Sequence, residues 1–182
     1  DRKSVVKGKS VDLGGSRIIK KKIKKKTTRN NELLKINNIK PQKWRIYIMK
    51  ILESKFVQGF IKMANDGYQQ GWHERNGGNL SYRLKPEEVE MIKPRLNAPG
   101  EWEEIGVEVP GLAGEFFLVT GSGKYFRNII VDPEVCLAII ELDETGTKYR
   151  IRWGLVEGGR PTSELPTHLM NHEVKKKLTN GR

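Results

Sequence analysis

Apolar residues recur along the second part of the chain with two different periods. From Phe56 they fall at Val57, Phe60, Ile61, Ala64, Tyr68 and Trp72, the spacing that gives a helix one buried stripe. Gly71 and the run Asn76-Gly77-Gly78-Asn79 predict the end of that helix and a loop. Leu80-Ser81-Tyr82-Arg83-Leu84 then alternates, as in a strand with one buried face. Residues 85–112 are rich in Glu and Pro, show no clear period, and read as a long connection with room for short elements. Phe116-Phe117-Leu118-Val119-Thr120 is a compact apolar run, a buried strand, and leads directly into Gly121-Ser122-Gly123. Leu137–Leu142 and Tyr149–Trp153 flank Asp143-Glu144-Thr145-Gly146-Thr147, which predicts a β-hairpin. After Pro161-Thr162-Ser163 a second helix is expected, capped by Thr or Ser, with Leu165, Leu169 and Leu178 on its apolar side. Asn180-Gly181 reads as its stop, with a further strand to follow.

Charge divides the chain. A net charge of +12 over 182 residues suggests nucleic acid or an acidic surface as partner. Yet residues 1–50 hold 17 Lys+Arg against 3 Asp+Glu, and residues 51–182 hold 17 against 19. The basicity therefore belongs to the first segment. Lys20–Lys26 runs Lys-Lys-Lys-Ile-Lys-Lys-Lys with no apolar face to bury. Such a segment cannot offset its ordering entropy, so residues 1–48 are expected to be a disordered basic tail ahead of a domain spanning 49–182. Three readings of the tail stay open: a nucleic-acid or anionic-lipid tail, an inert extension, or translated non-coding or cloning sequence before a true start at Met49. The lone cysteine, Cys136, lies in an apolar run and reads as a small buried hydrophobe in a reducing compartment. No apolar stretch approaches the ~20 residues of a membrane span, and no secretory leader opens the chain. The expectation is a soluble, cytoplasmic protein without nucleic-acid or membrane partners.

Three loops suit one anion. In Asn76-Gly77-Gly78-Asn79 the glycines let backbone N–H groups approach a ligand and the amides add neutral donors; a plain turn explains the same residues. Thr120-Gly121-Ser122-Gly123-Lys124 lies at the carboxyl end of a predicted strand, the edge where α/β folds bind ligands. It is not a P-loop, because position 118 is Leu where that motif needs Gly and position 125 is Tyr where it needs Ser or Thr. Thr162-Ser163 begins a helix, where free N–H groups and the positive dipole end attract phosphate; simple capping explains it too. Glu164 follows at the edge of such a site, positioned for general acid/base work, although glutamate in a first helical turn also stabilises the helix by itself. Glu164, His168 and His172 share one helix face at i, i+4 and i+8. That spacing could hold a metal or could be a polar face with incidental histidines. His73, beside Glu74 and Arg75, reads as part of a solvated helix end.

These blocks together resemble the rhamnulose-1-phosphate aldolases of the class II aldolase/adducin group. They are Gly71-Trp72-His73-Glu74-Arg75-Asn76-Gly77-Gly78-Asn79-Leu80, Val119-Thr120-Gly121-Ser122-Gly123-Lys124-Tyr125-Phe126-Arg127-Asn128, Trp153-Gly154-Leu155, and Pro161-Thr162-Ser163-Glu164-Leu165-Pro166 with His168. The resemblance spans about residues 51–182, in order. It implies an α/β fold, an α/β/α sandwich around a mostly antiparallel sheet, cut short at its C-terminal side. It implies a Zn²⁺-dependent lyase that cleaves L-rhamnulose 1-phosphate to dihydroxyacetone phosphate and L-lactaldehyde in rhamnose catabolism, and a homotetramer when complete. It implies a phosphate and substrate site at Asn76, Gly77, Asn79, Thr120, Gly121, Ser122 and Ser163, with Glu164 as catalytic acid/base. The family's three zinc histidines, two of them in a His-x-His pair just after the equivalent of Gly181, have no counterpart in this chain. A chain of this extent is therefore expected to be an inactive fragment. Other readings on the same fold are a sugar-phosphate epimerase and an adducin-like binding module without metal.

Overall fold

The computed structural model describes residues 50–73, 75 and 77–179. The expected tail over residues 1–48 and the helix stop at Asn180-Gly181 lie outside them. Five strands form one antiparallel sheet: β1 Ser81–Arg83, β2 Glu103–Glu104, β3 Phe116–Thr120, β4 Leu137–Leu142 and β5 Lys148–Gly154, in the order β1-β3-β4-β5-β2.

The central strands are apolar on both faces because helices cover both. Along β4, Leu137 and Ile139 enter one core, and Ala138, Ile140 and Leu142 enter the other, the two-residue alternation of a strand. On the first face helix α1, Lys55–Gln69, supplies Val57, Phe60, Ile61 and Ala64. Helix α2 is Pro86–Ile92; the short helices α3, Phe126–Ile129, and α4, Pro133–Cys136, add Phe126, Ile129 and Cys136 to the same face. On the second face helix α5, Leu165–Leu178, buries Leu165 and Leu169. The result is the layered α/β arrangement that the sequence implies, with Cys136 buried as expected.

The helix stripes are shorter than their periods predict. Helix α1 ends at Gln69, and Gly71 takes φ +73°. Trp72 N–H donates to Gly67 O and Gly71 N–H to Tyr68 O, the paired bonds of a glycine-closed C-terminus. Trp72 therefore lies beyond the helix and is 74% exposed, and Tyr68 is exposed as well. Leu178 is exposed in the last turn of α5. There the inward contact is polar: Glu173 accepts the Gly111 N–H at 2.7 Å, and Lys176 Nζ donates to Gly111 O at 2.6 Å. Residues 85–112 are more ordered than a plain connection, since α2 and β2 fall within them and Ile92, Ile105, Val109 and Leu112 are buried.

The end of β5 turns against β4 with no space to spare. Gly154 has φ +85°, and a Cβ there would lie 2.0 Å from Leu137 O; Gly158 has the same φ, with open space around it. Left-handed backbone costs an ordinary residue roughly 1–2 kcal/mol. Gly158→Ala should lose about that much in a denaturant titration, and Gly154→Ala clearly more, because backbone must also move. Equal losses would mean the close approach at Leu137 is not real.

Candidate functional site

The three loops are brought together by backbone pairing at one edge of the sheet. The β1–β3 register pairs Ser81 with Val119, which carries Leu80 up to Thr120. Thr120 N–H donates to Leu80 O, and Leu80 N–H to Thr120 Oγ1, both at 3.1 Å. Thr120 O accepts the Thr162 N–H at 2.8 Å, and Ser122 N–H donates to Arg160 O at 2.9 Å. Gly121 and Pro161 form an isolated bridge between these bonds. The segments around Leu80 and Arg160–Thr162 thus both pair with the carboxyl end of β3, whose other side is taken by β4.

The residues expected to bind phosphate divide into a frame and a face. Thr120 and Gly121 are buried. Thr120 spends its N–H and hydroxyl on Leu80, and Gly121 donates its N–H to Cys136 O at 2.7 Å. A Cβ at Gly121 would sit 2.6 Å from Leu155 Cδ2, so a larger residue there would have to displace that buried side chain. These two residues spend their donors on protein partners and hold the edge in place. Ser122, Ser163 and Glu164 are exposed. Among the described residues, the two hydroxyls and the Glu164 carboxylate have no protein hydrogen-bond or ion-pair partner. Gly123, at φ +70°, lets the chain turn back so that Lys124 N–H reaches Gly121 O. Thr162 Oγ1 accepts the Glu164 N–H at 3.2 Å, which fixes the approach to α5. Gly77 is exposed beside this edge, and Asn76 lies outside the described residues.

Asn79 is tied to α5. Its Oδ1 lies 2.6 Å from His168 Nε2. Ser81 Oγ lies 2.8 Å from His168 Nδ1 and 2.9 Å from His172 Nε2. The alternative of a Glu164–His168–His172 metal site is not formed: both rings turn to Ser81, and no group of three or more His, Cys, Asp or Glu able to hold a metal is present among the described residues. Burial lowers the His168 pKa, opposed by the Glu164 carboxylate. Burial also pushes His172 down to about 4, aided by the neighbouring His168, Arg83 and Lys175 and opposed by Glu115. Sequence reasoning missed Ser81, the hydroxyl between the rings. The i, i+4 spacing of the histidines announced a shared face without saying what it meets.

His73 is not a solvated helix end. Its ring packs on Phe126 at 4.2 Å between centroids. A Cβ on Gly78 would lie 2.5 Å from His73 Nδ1. A side chain at Gly78 would therefore have to displace this ring. Two clefts, of about 420 and 480 Å³, flank Arg83 and Pro86 and include none of Asn79, Ser122, Ser163 or Glu164. No described helix is long and apolar enough to cross a membrane.

Residues 58–179 match the class II aldolase and adducin N-terminal domain. The chain is 48% identical over 135 residues to a rhamnulose-1-phosphate aldolase of Mannheimia succiniciproducens, covering 74% of this chain and 50% of that protein. It is 46% identical over 132 residues to a rhamnulose-1-phosphate aldolase of Pectobacterium atrosepticum, covering 72% and 48%. The chain thus spans about half the length of these relatives. A sugar-phosphate aldolase from Thermotoga maritima has a similar structure, with TM-score 0.52 and 31% identity over 67% of this chain and 47% of that one.

Because the folded His172 pKa lies below the value of about 6.5 for an unperturbed histidine, the unfolded chain binds the extra proton first. The stability His172 contributes is present above pH ~6.5 and is lost as pH falls towards 4. Replacing it by Gln should remove that part of the acid sensitivity, read as the change in denaturation midpoint between pH 7 and 4.5. A His172 titration near pH 6.5 in NMR would contradict the half-buried neutral ring.

Proposed function

The chain belongs to the class II aldolase and adducin N-terminal domain family, and on that basis we propose that it forms the phosphate-binding and acid/base part of a rhamnulose-1-phosphate aldolase. The observation that carries this reading is the pairing of Leu80 and of Arg160–Thr162 with the end of β3, which sets Asn79, Ser122, Ser163 and Glu164 along one edge. The relatives' activity supports the choice of substrate.

In this reading Asn79, Ser122 and Ser163, with Asn76 and the Gly77 backbone, donate hydrogen bonds to the phosphate of L-rhamnulose 1-phosphate. The N-terminus of α5 adds its dipole. Thr120 and Gly121 hold the donors in place. Retro-aldol cleavage breaks the C3–C4 bond, removes a proton from the C4 hydroxyl and adds one at C3, giving L-lactaldehyde and dihydroxyacetone phosphate. Glu164 is the group that handles the proton at C3. Its position suits this: the carboxylate is exposed, without a protein partner among the described residues, and directly follows Ser163.

Class II aldolases are metal-dependent, and Zn²⁺ is the ion proposed for the complete enzyme, where it would act as a Lewis acid on the substrate carbonyl. The described residues do not fit it. His168 and His172 bond Ser81, and Glu164 stands apart from any set of three ligands. The metal is therefore assigned to histidines other than these. A cytoplasmic homotetramer is the proposed setting of the whole enzyme.

The test is steady-state cleavage of rhamnulose 1-phosphate by an enzyme of the relatives' full length carrying this sequence. Glu164→Gln should lower kcat by about 10²–10⁴-fold while KM stays close to normal. Asn79→Ala and Ser163→Ala should each weaken substrate binding by roughly 1.5–3 kcal/mol, the value of a hydrogen bond to a charged group. Near-normal turnover in the Gln variant removes Glu164 from the chemistry. Epimerisation of a sugar phosphate without cleavage would transfer the same site to the epimerase reading.

A further inference from the structure

His168 and His172 take no part in the reaction described above, yet both rings are drawn to one hydroxyl. The direction of each hydrogen bond follows from which atoms can carry hydrogen. Asn79 Oδ1 carries none, so His168 Nε2, 2.6 Å away, is the donor. A neutral His168 protonated at Nε2 has a bare Nδ1, which accepts from Ser81 Oγ–H at 2.8 Å. The Ser81 oxygen is then free to accept from His172 Nε2–H at 2.9 Å. All three bonds run one way, from His172 through Ser81 and His168 to Asn79. Burial favours the neutral rings this arrangement needs. The run ends by occupying the Asn79 carbonyl oxygen, and the two amide N–H groups have no protein acceptor among the described residues.

We infer that His168, oriented by Ser81 and His172, is a positioning residue for the phosphate site: it holds the Asn79 amide so that N–H, and not C=O, is offered to the anion. The inference rests on the proposed reading of Asn79 as a phosphate donor. An asparagine amide is nearly symmetric in shape, and only a partner that distinguishes oxygen from nitrogen can fix its flip. A carbonyl oxygen turned to a phosphate dianion repels it. Without His168 the amide divides between two flips, and its χ1 is free to sample up to three staggered wells. The competent fraction then falls to between one half and one sixth, and apparent affinity falls by the same factor. The packing of α5 is carried separately, by Leu165 and Leu169.

The experiment measures the affinity of the 182-residue chain for inorganic phosphate by NMR titration, in the wild type, Asn79→Ala, His168→Ala and His168→Gln. Phosphate binding should weaken in Asn79→Ala. It should weaken by about two- to sixfold in His168→Ala, and return towards wild type in His168→Gln, whose amide can again donate to Asn79 Oδ1. Full affinity in His168→Ala alongside weakened Asn79→Ala overturns the positioning role alone. No phosphate binding, or full affinity in Asn79→Ala, overturns the phosphate reading and this inference with it. Imidazole ¹⁵N shifts of the unmutated chain test the same point independently of how the variants fold. They should place the His168 hydrogen on Nε2, and a hydrogen on Nδ1 alone would overturn the proposal.

Discussion

Thr120 makes two backbone hydrogen bonds, its N–H to Leu80 and its carbonyl from Thr162, and the proposed site exists only because both form. Each joins segments far apart in sequence. The cost of closing such long loops grows slowly with length, but closure has to be supported by something, and here it is the sheet. Strand β3 is buried through Phe117, Leu118 and Val119, and β4 packs beside it along five paired positions. A slip of either strand by one residue would exchange its two apolar sets between two cores that are packed by different helices. Register in the core thus becomes position at the edge, where Ser122, Ser163 and Glu164 are exposed.

This arrangement separates residues that make the site from residues that face a ligand. Gly121, Thr120 and Gly78 look alike in sequence to ligand-binding loop residues, but Leu155, Leu80 and His73 account for them. The donors left over are Asn79 and the two serines. Helix α5 serves both functions: its N-terminus borders the proposed anion edge, and its fourth and eighth residues bond Ser81, one of them also reaching Asn79.

Much of the fold was legible because burial imposes a period. The run at residues 116–120 and the hairpin at 137–154 could only be strands, and Leu165 with Leu169 set the inner face of α5. The period failed where burial ends. Trp72 kept the helical spacing by chance after Gly71 had closed α1, and Leu178 continued a stripe whose inner face had already turned polar at Glu173. In the candidate site, glycine and hydroxyl runs at element ends marked the loops that pair at the end of β3. They did not reveal which members are spent on protein partners, since that depends on pairing between distant segments. Ser81 carried no signal beyond its place in an alternating strand. The histidines were legible as a pair, and their partner was not.

The central claim is that these loops form one anion-binding edge. Amide shift mapping of the ¹⁵N-labelled 182-residue chain during titration with dihydroxyacetone phosphate tests it most directly. The account predicts that Asn79, Gly123, Ser163 and Glu164 shift together and saturate at one common affinity. Shifts centred instead on the cleft around Arg83, Lys85 and Lys175, with these four amides unmoved, would contradict it.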